Sequence, residues 1–237
     1  MSIIDTLLAT VAPLECIVCN QEGYLLCPTC ITAMEFYKPS ECFSCFKPTS
    51  NNFTYDSCFI KTGIRSVSAC YAYKDTAKQA VGEFKFNGKR AAAKDLARIM
   101  SERAQNAKLI PDPNIILVHI PTATSRVRER GYDHAKLLAR ALSHNLGLLQ
   151  VDALTRTKQG HQVGLGRVER SKHIAGAFRV PRPQVIAGAH ILLVDDVVTT
   201  GATLSEAAKV LLQAGAMHVD ALVFAKTPPT FGQNSAK

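Results

Sequence analysis

The pattern of apolar and polar positions divides the chain in two near residue 70. Beyond it, short continuous apolar runs alternate with stretches of helical spacing. "NIILVHIP" (114–121) and "AHILLVDD" (189–196) are unbroken apolar runs, the mark of strands buried on both faces. "HVDALVFA" (218–225) is a third strand, and "VSACYAY" (67–73) has the alternation of a half-buried one. Residues 75–84 and 90–107 read as helices, the second with Ala91, Leu96, Ile99 and Met100 along its apolar side. Residues 132–147 form a helix opened by Asp133 and stopped by Gly147. A last helix, 203–214, places Leu204, Ala207, Ala208, Leu211 and Leu212 on one face, with Gly215 as its cap. Strands separated by helices predict an open parallel α/β sheet flanked by helices.

The first part of the chain has a different character. All eight cysteines of the 237 residues lie within the first 70. "CIVCNQEGYLLCPTC" supplies Cys16, Cys19, Cys27 and Cys30 as two C-x-x-C pairs seven residues apart. Each pair lets two thiolates of one tight turn reach a metal, and two pairs complete a tetrahedron around zinc. Four protein thiolates leave no open position, so such a zinc folds the module and takes no part in catalysis. Cys42 and Cys45 form another knuckle. Cys58 stands where a fourth pair begins, but Lys61 occupies its second position, and Cys70 falls in a strand. Whether these bind a second metal stays open. So does the pairing, since Cys16 and Cys19 could share a metal with Cys42 and Cys45. The chain thus divides into a small Cys-rich zinc-ribbon module over 1–66, an α/β domain over 67–226 and a tail over 227–237.

Composition excludes some classes. Hydrophobic residues at 47% and charged residues at 20% are ordinary globular values. No apolar run is long enough to span a bilayer, and the first residues lack the basic flank and cleavage site of a signal peptide. The expectation is a cytoplasmic protein with clustered, metal-binding thiols and no membrane insertion. The formal net charge of +9 favours polyanionic partners, either nucleic acid or phosphorylated small molecules. Lys85, Lys89, Arg90 and Lys94 cluster, as do Arg126, Arg128 and Arg130. The stretch 156–182 holds seven Lys/Arg against one acid, Glu169.

The most informative segment is "ILLVDDVVTTGAT" (191–203). If the strand ends at Val194, Asp195 and Asp196 lie at the carboxyl edge of the sheet, where open α/β proteins bind ligands. The segment that follows is small and hydroxylated, and a helix starts at about Thr203. Thr199, Thr200, Gly201, Ala202 and Thr203 would offer backbone N–H groups, hydroxyls and a helix N-terminus to one phosphate. Two acids would repel a bare phosphate, but they suit a ligand that also presents hydroxyls, as a ribose does.

V-D-D-V-V-T-T-G-A-T resembles the ribose-5-phosphate signature of type I phosphoribosyltransferases. The Cys pairs, "FKFNGKR" (84–90), "IPTATSRVRERGYDHA" (120–135), "HQVGLGRVERSKHIAGAF" (161–178) and the terminal block follow in the order of the ComF family. That family is associated with competence and carries a zinc ribbon before a phosphoribosyltransferase domain. The resemblance spans about 14–226. It implies a type I phosphoribosyltransferase-like open parallel sheet and phosphoribosyl pyrophosphate (PRPP) as ligand, with Asp195 and Asp196 accepting from the ribose 2- and 3-hydroxyls. Thr199–Thr203 would hold the 5-phosphate. Mg²⁺ would bridge pyrophosphate oxygens, with Lys85, Arg126 and Arg130 as candidate cations. The 156–172 segment resembles the loop that closes over PRPP in these enzymes, excluding water from the reacting centre.

There are departures from the family pattern. R-G-F-N-Q-A is here Arg130-Gly131-Tyr132-Asp133-His134-Ala135, so an acid replaces an amide and His134 replaces a neutral side chain. "QGHQ" (159–162) lacks the family's threonine, and R-x-x-N reads Arg170-Ser171-Lys172-His173.

Two functions follow. One is a PRPP-binding protein of DNA uptake, with single-stranded DNA and the competence machinery as partners, in which Phe84, Phe86 or Tyr132 stack on bases or else pack in the core. The other is a pentosyltransferase of nucleotide or base salvage with no DNA role. No segment identifies the acceptor.

Overall fold

In the computed structural model the described residues are 15–37, 41–50, 52–86, 92–106, 115–157 and 174–228. They fold around a five-stranded parallel sheet of order β1-β7-β6-β2-β3, from β1 (Ser66–Ala72), β2 (Ile115–His119), β3 (Leu149–Gln150), β6 (His190–Val198) and β7 (His218–Lys226). A two-residue antiparallel pair, β4 (Thr155–Arg156) with β5 (Phe178–Arg179), stands apart from it. The helices are α1 (Pro28–Thr32), α2 (Asp56–Thr62), α3 (Asp75–Phe86), α4 (Ala92–Asn106), α5 (Thr124–Arg130), α6 (His134–Leu146) and α7 (Ala202–Gln213).

Successive side chains of a strand point to opposite faces, and β6 feeds two cores in this way. Leu192 and Val194 join Phe84, Leu96 and Leu138 under α3, α4 and α6, whereas Ile191 and Leu193 join Leu204, Ala207 and Leu211 of α7. Phe84, Leu96 and Leu138 are fully buried. Truncating any of them to alanine costs about 2–5 kcal/mol. α6 is built as its sequence demands. Asp133 caps it, its carboxylate accepting the Lys136 N–H, and Gly147 ends it at φ 66°. α7 starts at Ala202 and ends in a turn completed by Gly215, whose φ is 98°.

Two expectations are corrected. β1 does not alternate: six of its seven residues are buried, because the Cys-rich module covers it. Cys16, Ile17, Leu26, Cys27 and Cys30 enter the core under α4 and α6, while Phe43 enters the core under α7. Residues beside them hydrogen-bond the free edge of β1, with Tyr37 N–H donating to Cys70 O and Ala72 N–H to Glu35 O. The module straddles the edge strand and hides the unpaired backbone that would otherwise invite another chain. The second correction concerns β6, which does not end at Val194. β7 pairs it onward, Val197 opposite Ala225 and Val198 opposite Lys226, so Asp195 and Asp196 lie within its last turnward stretch.

At the opposite, N-terminal edge, Asp220 collects three neighbours. Ser66 Oγ donates to it at 2.7 Å, Arg65 Nε at 3.2 Å, and His190 Nε2 lies at 2.6 Å. Burial alone would raise this carboxyl. His190, Arg65 and Ser66 outweigh it and hold Asp220 down at about 2.

Candidate functional site

The alternation of β6 sends its two acids to different sides. Asp196 turns toward α3 and α6 and is buried at 2% exposure. Lys85, in the last turn of α3, puts Nζ 2.7 Å from its Oδ1, and His134, the first residue of α6, puts Nε2 2.8 Å from its Oδ2. Arg130 at the end of α5 brings Nη1 within 3.0 Å of His134 Nδ1. With its proton on Nε2, His134 accepts from Arg130 at Nδ1 and turns Nε2–H toward Asp196 Oδ2, a close contact whose angle falls short of a hydrogen bond. The chain Lys85–Asp196–His134–Arg130 is held from behind. Tyr132 Oη donates to Phe84 O at 2.6 Å, and the Phe84 ring meets His134 edge-on at 5.9 Å. Burial would raise the Asp196 carboxyl, but Lys85 and then His134 reverse this and hold it at about 2.

Asp195 takes the other side. Its Oδ1 accepts the Asp196 N–H at 2.9 Å. Burial first, then the neighbouring Asp196, push its carboxyl up to about 8. Arg156, on β4, lies over the Phe178 ring at 5.3 Å. Burial and the nearby Arg126 lower its guanidinium, and Asp195 opposes them. Burial lowers Arg130 as well, again with Arg126 beside it. Arg126 itself is exposed on α5. Arg130 thus lies near Asp196 and Arg156 near Asp195, with Arg126 close to both arginines.

The turn after β6 is built for close approach. Gly201 is buried in the left-handed conformation, φ 75°, and serves as N-cap of the 12-residue α7. Its carbonyl accepts from Ser205 N at 2.8 Å and Ser205 Oγ at 2.9 Å. Ala202 N–H reaches Thr200 Oγ1 at 3.3 Å. Thr199 is exposed, and Thr200, Ala202 and Thr203 are half-buried. Such a turn presents an open helix N-terminus beside hydroxyls, which is a site for an anionic oxygen cluster.

The sequence-predicted residues Lys85, Arg130, Asp195 and Asp196 therefore converge with the Thr199–Thr203 turn. Two contributors had a weak sequence signal. His134 was visible only as a departure from a family motif, and Arg156 only as one of several basic residues. Asp133 does not face the site as a bare charge, because Thr122 N and Oγ1 donate to it at 3.1 and 2.8 Å, fixing the loop after β2. Phe84 and Tyr132 are buried, which rules out base stacking by either. The side chain of Phe86, residues Lys89 and Arg90, and the 158–173 segment with its two departing motifs lie outside the described residues.

The thiols separate into two groups. Cys16, Cys19, Cys27 and Cys30 place their sulfurs within 4.8 Å of one another, and a second group joins Cys42, Cys45 and Cys58. Cys19 and Cys27 sulfurs are 3.6 Å apart. A zinc tetrahedron with Zn–S near 2.3 Å needs about 3.8 Å between sulfurs, so the four residues fit that metal. Burial would raise the Cys16 thiol, yet the backbone N–H groups of Cys27, Cys19 and Val18 lower it to about 6, favouring the thiolate a metal requires. The interleaved pairing is not seen. Cys70 stays in β1, fully buried.

A parallel sheet whose middle strand carries two acids just before a glycine turn at a helix N-terminus, with basic residues from α3, α5 and β4 nearby, is the architecture of a phosphoribosyltransferase. The phosphoribosyl transferase domain family matches residues 89–232, and the chain belongs to that family. It is similar to the DNA utilization protein YhgH of Salmonella typhi, 33% identical over 62% of this chain. That match spans 66% of the relative, just under two thirds of its length. It is also similar to the competence protein ComFC of Bacillus subtilis, 29% identical over 80% of this chain and 79% of that protein. Among solved structures, a hypoxanthine phosphoribosyltransferase of Staphylococcus aureus aligns at 14% identity with a TM-score of 0.36, over 57% of this chain and 65% of that one. The resemblance to the ComF family read from the motifs is borne out by these relatives. No helix among the described residues is long and apolar enough to cross a membrane.

Proposed function

We propose that the protein binds PRPP between the acid pair and the turn, and acts in the handling of DNA during uptake. The observation that carries the ligand is the convergence of Asp195, Asp196 and the Gly201 turn with Lys85, Arg130 and Arg156. In this reading the backbone of Thr199–Thr203 holds the 5-phosphate, and Asp195 accepts from a ribose hydroxyl. Asp196 shares its oxygens between Lys85, His134 and a second hydroxyl. Lys85, Arg130 and Arg126 face the pyrophosphate. The acid pair supplies oxygen ligands of the kind Mg²⁺ takes, and the ion would neutralise pyrophosphate charge when it arrives with the substrate. If a nucleophile attacks ribose C1, the bond to pyrophosphate breaks and both electrons leave with it. The chain's task is then to orient the ring and stabilise the departing charge.

A DNA role is supported by the names of the relatives and by the basic surface, on which Arg126 and Arg128 are exposed. Single-stranded DNA would meet phosphate-binding cations rather than aromatic platforms, since Phe84 and Tyr132 are buried. The coordination set Cys16, Cys19, Cys27 and Cys30 would hold a structural zinc.

The test is thermal stabilisation by PRPP with Mg²⁺, expected in the wild type and lost in Asp195→Asn/Asp196→Asn. Absence of binding at millimolar PRPP would sink the reading. Release of pyrophosphate against a panel of acceptors, single-stranded DNA included, then decides whether turnover occurs. DNA affinity is expected to fall steeply between about 50 and 200 mM salt. Affinity that ignores salt rules out backbone contacts.

A further inference from the structure

The second Cys knuckle, which the reading above leaves unused, lies against the phosphate turn. Phe43 sits between Cys42 and Cys45, is 4% exposed, and packs into the core under α7. A β-carbon built on Gly201 would lie 2.7 Å from Cε2 and 3.1 Å from Cδ2 of that ring. The ring therefore fills the space above Gly201 and forms the wall against which the turn is folded. Only glycine fits there, for its left-handed φ and for its missing side chain.

The knuckle is anchored independently of the turn. Cys42 N–H donates to Lys47 O and Phe46 N–H to Cys42 O, both at 2.9 Å, and the Cys42, Cys45 and Cys58 sulfurs gather beneath. Glu41 meets the buried Lys226 at 3.2 Å, and the ammonium lies 4.6 Å from the Tyr37 ring and 5.1 Å from that of Phe46. Lys226 ends β7 opposite Val198, and the next residue, Thr227, donates its N–H to Val198 O at 2.9 Å. The knuckle thus grips the end of β7, which pairs with β6 just before the turn, and, through Phe43, the turn itself.

We infer that Phe43 is the positioning residue of the phosphate turn: carried on the Cys42–Cys45 knuckle, it fixes the Gly201–Thr203 backbone that receives the phosphoryl end of the ligand. This rests on the reading that the turn binds a ribose 5-phosphate group. Without the ring, the Gly201 backbone gains freedom that must be lost again on binding, which weakens affinity without removing a single ligand contact. The effect is local. Lys85 and Arg130 approach Asp196 from the other face of the sheet, so a ligand held by those cations is indifferent to Phe43.

The test is calorimetric titration of the full chain with ribose 5-phosphate and, separately, with pyrophosphate and Mg²⁺. Phe43→Ala is expected to weaken ribose 5-phosphate at least about tenfold while leaving pyrophosphate within about twofold, and Phe43→Leu to recover most of the loss. Cys45→Ser, which loosens the mount without touching the turn, is expected to show the same selectivity to a smaller degree. If Phe43→Ala unfolds, Cys45→Ser is judged by the same ratio of the two affinities, and an unchanged ratio overturns the proposal. Unchanged ribose 5-phosphate binding, or equal loss of both ligands, overturns the proposal. A wild-type chain that binds no ribose 5-phosphate overturns the cradle reading itself, and the proposal with it.

Discussion

Lys85→Met removes the ammonium 2.7 Å from Asp196 Oδ1 while keeping an apolar stem of similar length. Asp196 is buried, and its carboxyl lies at about 2 against 3.8 when unfolded, because Lys85 and His134 together outweigh the burial that would raise it. That difference corresponds to about 2 kcal/mol of stability at neutral pH. A depressed carboxyl stabilises the fold fully above its unfolded value, and the contribution fades as pH falls from about 4 towards 2. Lys85→Met should therefore melt about 4–8 °C below the wild type at pH 7.5, with the gap closing below pH 4. His134 remains as a partner for Asp196 and keeps the loss below that of a fully stranded charge. The chain has no tryptophan, so far-UV circular dichroism is the natural probe. Melting within about 1 °C of the wild type at pH 7.5, or a gap that widens below pH 4, would refute the ion-pair argument.

Other expectations follow from the same geometry. Asp195→Asn should raise stability by an amount that grows from about pH 4 to pH 8, on the order of 1–3 kcal/mol, since burial and Asp196 push that carboxyl up to about 8 and its ionisation opposes folding. Melts with and without PRPP would show the gain in stability and the loss of ligand response together, and a destabilised variant would contradict the assignment. Asp220→Asn should cost about 1–3 kcal/mol by urea unfolding at pH 7, because the part-exposed Arg65 loses its counter-ion and His190 and Ser66 lose a carboxylate partner; an unchanged unfolding midpoint would make the network ornamental. Cys27→Ser should lose its metal by elemental analysis and lower the melting point of the whole chain. A metal-free variant that melts like the wild type would show that zinc is not structural.

How much was legible in the sequence depended on how far apart the causes lie. β2, β6 and β7 are continuous apolar runs, and α6 carries its own start and stop in Asp133 and Gly147, so local reading suffices. Asp195, Asp196 and the turn were legible because one motif holds them together. β1 misled because its second face is buried by Cys16, Leu26, Met34, Phe43 and their neighbours, and alternation cannot report a cover that comes from elsewhere in the chain. The end of β6 misled because its last pairs are supplied by β7, whose register no local signal reveals. Nothing local to Lys226 at the end of the α/β domain foretells that it is 2% exposed and paired with Glu41, 185 positions earlier. The pairing of His134 with Asp196 and the packing of Phe43 on Gly201 likewise join distant segments. Residue type suggests such contacts only once the fold has been drawn.

The strand order has a consequence for how the chain is made. β1 is synthesised early, yet among the described strands its neighbour in the sheet is β7, the last of the seven in chain order. The Cys-rich module docks on β1 and on Lys226, so its contacts stay incomplete until residues 218–226 arrive. Assembly therefore closes on contacts of very long sequence separation, which are slow to form and leave apolar surface waiting. A nascent chain halted before His218 would hold a Cys-rich module, an unpaired edge strand and a Gly201 turn without the strand that anchors the Cys42–Cys45 knuckle beside it.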